Sequence, residues 1–183
     1  ILFAAIYFVI VLAATIMGGI HPLLYLLVTT LIALLAWIPY MYVTAKVPKM
    51  GASLLLALIS GILFFATGEC TWVIIVTFAI AGLLAEVMRK VLGYKSFKGI
   101  ALAGGFCAIG FIGSPLPMWL FQESYMKSIE EMGMGAEYVE GLQSMISAGS
   151  FIGMLAVAFM GGLLGTLIGH KMLKKHFEKA GIV

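Results

Sequence analysis

Charge is scarce in this sequence: 10% of its 183 residues are charged, against roughly a quarter in an ordinary soluble domain. A water-exposed globule of this size is excluded, because it needs polar side chains to cover its surface. Catalytic signatures are missing as well. There is no His-Glu-x-x-His, no Gly-x-Ser-x-Gly elbow and no phosphate-binding P-loop, so zinc hydrolysis, serine acylation and ATP hydrolysis have no visible residues. The apolar runs hold no ladder of ionisable groups of the kind found in proton pumps and ion-coupled carriers. The two halves do not resemble each other as inverted repeats do. Two cysteines, Cys70 and Cys107, give neither a disulfide framework nor a metal-ligand spacing, and leave the redox compartment open.

What is present is hydrocarbon. The chain is 63% hydrophobic with a mean hydropathy of +1.14, so a bilayer is its solvent. A helix rises about 1.5 Å per residue and the hydrocarbon core is about 30 Å thick, which calls for roughly 20 apolar residues per crossing. Breaks at that interval divide the chain into six segments, 1–19, 22–45, 51–67, 71–92, 98–120 and 147–171. The chain begins at Ile1, already apolar and without a methionine, which suggests that a short N-terminal piece precedes it. A signal peptide fits poorly, since the first run has neither a charged flank nor a small-residue cleavage site.

The sign of the charges tests this division, because cytoplasmic loops carry an excess of Lys and Arg. Lys46 and Lys49 follow the second segment, Arg89, Lys90, Lys95 and Lys98 the fourth, and Lys171, Lys174, Lys175 and Lys179 the sixth, which makes ten of the eleven basic residues. The other side holds Lys127 with Glu69, Glu123, Glu130, Glu131, Glu137 and Glu140. The expectation is an all-α polytopic membrane protein: one transmembrane domain, a six-helix bundle with both termini cytoplasmic, in the plasma membrane. The net charge of +3 then belongs to an inner basic rim, not to a nucleic-acid surface.

Residues 121–146 are the one sizeable polar segment. Gly133 and Gly135 interrupt it, which predicts a short amphipathic helix, a glycine turn and a second helical turn, a candidate lid or else a solvated connector. Ligand pockets need aromatic walls and a few placed polar groups. His21, Tyr25, Glu69, Trp72, Trp119, Gln122 and Tyr125 supply both at the outer ends of the segments and are the candidate substrate-binding residues, with Thr71 beside them. Trp72, Trp119 and Tyr125 would serve equally as interfacial anchors, and Glu69 as a solvated carboxylate. Pro115 and Pro117 re-aim the chain near the outer end of the fifth segment. Glu86 and Arg89, three apart, pair on one helix face in a structural or partner-facing role. His170 and His176 lie among lysines and suggest helix-end cations, not a metal site.

Small residues supply the remaining pattern. Gly161, Gly165 and Gly169 recur every four residues on one face of the sixth segment, allowing two backbones to approach closely, within the bundle or against a partner. Ala14 and Gly18, with Ala4 and Ala5 nearby, make a weaker version in the first segment, and the fifth is rich in glycine and alanine. These residues are the candidates for partner docking.

The strings Gly113-Ser-Pro-Leu-Pro-Met-Trp119, Ala136-Glu-Tyr-Val-Glu140 and Lys174-Lys-His-Phe-Glu-Lys-Ala-Gly-Ile182 resemble the Trep_Strep family, also called MptD-like, over essentially the whole chain. That family is regarded as a source of substrate-binding S components of energy-coupling factor (ECF) transporters. The resemblance implies a six-helix, non-enzymatic subunit without a cofactor that works with a transmembrane coupling subunit and two cytosolic ATPases. It implies capture of a vitamin-like molecule beneath the outer loops, and release inside by toppling, with small residues of the first helix docked on the coupling subunit. The Ala-x-x-x-Ala pattern often found on that helix is not clean here, since Phe8 follows Ala4 and Val9 follows Ala5. Two other readings stay open: an assembly subunit without a ligand, and an intramembrane enzyme acting on a lipid, for which His21 and Glu69 are the one His-acid pair on a common side.

Overall fold

The computed structural model describes residue 13, residues 16–68 and residues 70–172. Ala4, Ala5, Ala14, Glu69 and His176 lie outside the described residues, as does most of the first segment. The described residues are helical without a strand, and their helices begin and end where local chemistry dictates. Helix α1, Pro22–Lys46, starts at a proline that needs no donor partner, and the His21 Nδ1 accepts from the Leu23 amide at 3.1 Å. Helix α2 is Ala52–Ala66 and α3 is Val73–Leu92. Gly93, at φ +92°, ends α3 in a conformation that side chains resist. Ser96 then caps α4, Phe97–Ile109, by accepting from the Gly99 amide at 3.4 Å.

The fifth segment does not continue as a single helix to residue 120. Beyond α4 the chain tightens into a 3-10 helix at Gly110–Gly113, turns, and makes one further turn, α5, at Pro117–Leu120. The prolines remove donors at this point, and Thr77 of α3 donates to the Gly110 carbonyl at 2.8 Å, drawing it out of the regular ladder. A polar hairpin of α6, Gln122–Glu131, and α7, Ala136–Ser144, leads to α8, Ala148–Met172. Among the described residues α8 alone is long and apolar enough to cross a membrane by itself, while Ala52–Ala66 and Phe97–Gly113 are apolar but shorter.

Helix α1 packs on α8, α8 on α4, α4 on α3 and α3 on α2. Glycine permits these contacts. A Cβ on Gly162 would lie 2.5 Å from the Gly104 carbonyl oxygen and 2.6 Å from the Ala108 Cβ, and one on Gly165 would lie 2.5 Å from the Ala33 carbonyl oxygen. The α8 small-residue face is thus filled from within the chain, by α1 at Gly161 and Gly165 and by α4 at Gly162, and Gly169 is buried too. Trp37 crosses the same seam and donates from Nε1 to the Gly104 carbonyl at 3.0 Å.

Where α1, α2 and α3 meet, the apolar interior gives way to a buried ionic cluster. Arg89 has no exposed side-chain surface. It stands 3.9 Å from Glu86 and donates to the Ser53 hydroxyl at 3.3 Å and to the carbonyls of Thr44, Val47 and Tyr94 at 3.2, 3.4 and 3.4 Å. The Glu86 Oε1 accepts from the amides of Ser53 at 2.7 Å and Leu54 at 3.4 Å. Gly51 gives α2 no capping side chain, so the carboxylate on α3 caps it from across the bundle, where the helix dipole favours a negative charge. Arg89 closes the opposite case, a cation at the C-terminal carbonyls of α1.

Two measurements follow from this packing. Arg89→Met leaves Glu86 buried without its counter-charge and is expected to cost about 3–5 kcal/mol. The double variant Glu86→Gln, Arg89→Met should recover part of that loss in thermal unfolding in detergent, and wild-type melting of the single variant would contradict the account. Gly162→Ala should destabilise by about 1–3 kcal/mol through overpacking, whereas Gly153→Ala, where nothing lies within 4 Å, should not.

Candidate functional site

The two ends of the bundle differ in charge. Lys46, Lys49, Lys90, Lys95, Lys98 and Lys171 gather at the end that holds Arg89, and the opposite end carries the α6–α7 hairpin with five glutamates and Lys127. Gly133, at φ +83°, makes the turn between the two hairpin helices. Met126 on α6 and Val139 and Leu142 on α7 are buried in one cluster with Leu26, Ile112, Met118, Met154 and Ala158. The hairpin is therefore a folded cover with its own apolar underside, and the predicted helix–glycine–helix order is present. Ser147 and Ser150 join it to α8 by reciprocal capping, each hydroxyl accepting from the other residue's amide at 3.1 and 3.2 Å.

Its polar attachments are mostly phenols. The Tyr25 hydroxyl on α1 meets the Tyr125 hydroxyl on α6 at 2.5 Å, and Tyr138 on α7 donates to the Gly18 carbonyl at 2.9 Å. Ser114, in the turn after the 3-10 helix, and Cys70 lie in the neighbourhood of the Tyr25 hydroxyl. Trp119 packs on Phe151, with ring centroids 5.6 Å apart, and donates to the Ser147 carbonyl at 3.2 Å.

Of the seven candidate substrate contacts, the structure joins Tyr25 to Tyr125 and sets Trp119 at the edge of the same cover. Gln122 is exposed and lines a depression of about 430 Å³ on the hairpin, with Glu123, Met126, Lys127, Glu130 and Gln143. His21 is exposed and caps α1. Trp72, 58% exposed at the start of α3, stands apart from the phenols in the position of an interfacial anchor. Tyr138, Ser114 and Cys70 join the cluster without having been singled out. For Tyr138 a signal existed, since it sits beside Val139 and one turn before Leu142 on the apolar side of its helix. Gly18 is buried against Tyr25 and Val28, a contact inside the chain.

Residues 1–179 match a family described as hypothetical bacterial integral membrane protein (Trep_Strep). The chain belongs to the Trep_Strep family. No curated protein and no solved structure matches it. As a bacterial integral membrane protein of the prokaryotic plasma membrane, this Trep_Strep chain has a simple use for its exposed apolar stripes. Leu55, Ile59 and Ile62 on α2 and Ile80, Leu83, Val87 and Val91 on α3 are exposed at helical spacing, the pattern of a face turned to hydrocarbon.

Electrostatics keep the hairpin phenols of this Trep_Strep protein neutral. Burial, and then the neighbouring Tyr25, raises the Tyr125 hydroxyl far above its ordinary value and pushes Tyr138 up to about 12 from 10.0. A raised folded-state pKa means that the docked form holds its proton more tightly than the released one. Docking is then at full strength below pH about 10 and weakens as pH climbs from about 10 towards 12. Hydrogen exchange of residues 122–144 should be flat from pH 6 to 9 after correction for the intrinsic rate, and should rise above pH 10. Tyr138→Phe, which removes one hydrogen bond of about 1 kcal/mol, should raise the local opening about fivefold at neutral pH while leaving α8 unchanged.

Proposed function

We propose that this protein is the substrate-binding S subunit of an ECF-type importer, capturing a vitamin-like small molecule at its outer face. The observation that carries the reading is the hairpin cover itself, a folded α6–α7 unit latched to the bundle by the phenols of Tyr25, Tyr125 and Tyr138 at the acidic end. Latches of one hydrogen bond each are weak enough to open and re-form as a ligand enters and leaves. The positive-inside rule puts that end outside the cell and the lysine-rich end in the cytoplasm. In this reading the chain crosses six times with both termini inside. A transmembrane coupling subunit and two cytosolic ATPases supply the energy, and the loaded subunit topples against the coupling subunit to release its cargo. Because Gly161 and Gly165 are occupied by α1, docking falls to the first segment, with Ala4, Ala5 and Ala14.

A second reading has its own support. Met118 beneath the hairpin and Leu142 on its underside are fully buried, so the space under the cover is filled by the protein's own side chains. That packing suits an assembly subunit without a ligand.

The deciding experiment is mass spectrometry of small molecules released on denaturing protein purified in mild detergent, compared with a Tyr125→Ala, Trp119→Ala variant. The capture reading expects a stoichiometric compound in the wild type that falls at least tenfold in the variant. An empty wild type, even when co-expressed with candidate coupling and ATPase subunits in rich medium, would favour the assembly reading.

A further inference from the structure

The basic end has a feature that the capture reading does not use. Lysines scattered in sequence are drawn there into one patch by two contacts. The Arg89 guanidinium holds the carbonyls of Thr44 and Val47, at the α1–α2 junction, and of Tyr94, in the α3–α4 turn, within 3.2 to 3.4 Å. Lys49 and Lys95 are therefore carried on two turns tied to one buried side chain, with Lys90 on the last turn of α3 beside them. The Phe97 ring packs on His170 with centroids 4.3 Å apart, which brings Lys98 at the start of α4 to Lys171 at the end of α8. All five lysines are exposed.

Among the described residues no exposed acid balances them nearby. Among the described residues the acid at this end is Glu86, and it is buried with one oxygen committed to the α2 amides and Arg89. Exposed apolar side chains interleave with the lysines: Met50 at 79%, Val91 at 70%, and Leu92 and Met172 at 39% each. A soluble anion has no use for such a fringe, whereas a molecule with a phosphate above and acyl chains below fits both parts. We propose that this patch binds the headgroup of an anionic phospholipid in the adjacent leaflet, the lysines holding its phosphate and the apolar residues its chains. Juxtamembrane lysines strengthen attachment to anionic lipid by about fivefold each, so three of them amount to about a hundredfold.

The test is thermal unfolding of the delipidated protein in neutral detergent, titrated with short-chain phosphatidylglycerol, short-chain phosphatidylcholine, inorganic phosphate or a polyglutamate peptide. Phosphatidylglycerol should raise the melting temperature of the wild type saturably. Lys49→Gln, Lys95→Gln, Lys98→Gln in combination should shift half-saturation about a hundredfold, and Lys127→Gln at the other end should not shift it. Lys95→Gln alone, with a shift of about fivefold, serves if the triple variant melts lower without lipid. The proposal is overturned if phosphatidylcholine works equally well, if the lysine variants titrate like the wild type, if inorganic phosphate alone gives the full shift, or if polyglutamate acts at lower concentration than the lipid.

Discussion

The Arg89 guanidinium is the point on which the bundle turns. Its partners come from the end of α1, the start of α2 and the turn after α3, and it shares Ser53 with Glu86. In an apolar chain a buried ion pair is a poor source of net stability, because desolvating two charges offsets most of their attraction. Its effect here is on geometry. Helix ends leave amides and carbonyls without partners, and at a buried position no water is available to take them up. Glu86 accepts from the first amides of α2 and Arg89 donates to the last carbonyls of α1, so two helix ends and one turn are fixed to a single helix, α3.

Away from this cluster the bundle is held by closeness. Lipid tails are as apolar as leucine side chains, so there is little hydrophobic drive for one helix to choose another over the bilayer. What distinguishes a helix neighbour is dispersion contact at short range, and that explains the glycines at 104, 105, 161, 162 and 165 in the seam of α1, α4 and α8. The aromatic interior follows from the same spacing. Phe111 lies edge-on to Phe64 and Phe78, with centroids 5.3 and 4.9 Å apart, and fills the wider space left beside the seam. The protein is thus tight and polar at one end, tight and small along its middle, and covered at the other end by a hairpin attached through phenols.

Much of this was legible from periodicity and charge. The bounds of α1, α2, α3 and α8 lie within two residues of the apolar segments read from the sequence, because glycine, proline and lysine punctuate an otherwise uniform run. The two hairpin helices and their glycine turn were legible for the same reason. The break in the fifth segment was harder to place, since it depends on Thr77 of α3 reaching the Gly110 carbonyl, a contact between distant positions. For the α8 glycines spacing alone could not say which surface they serve; in the structure α1 packs against Gly161 and Gly165. The phenol cluster was half legible. Tyr25 and Tyr125 stand out as aromatics at segment ends, but their union with Tyr138 and Ser114 depends on how the hairpin folds back.

The cap that Glu86 provides also bears on how such a protein is made. Helix α2 has 15 residues, about 22 Å at the helical rise and short of the hydrocarbon thickness. Its own flank, Gly51, has no side chain to cap the amides of Ser53 and Leu54. Their acceptor is on the next helix to emerge from the ribosome. Helix α2 alone therefore lacks the acceptor for its leading amides, and its start is satisfied only once α3 lies beside it.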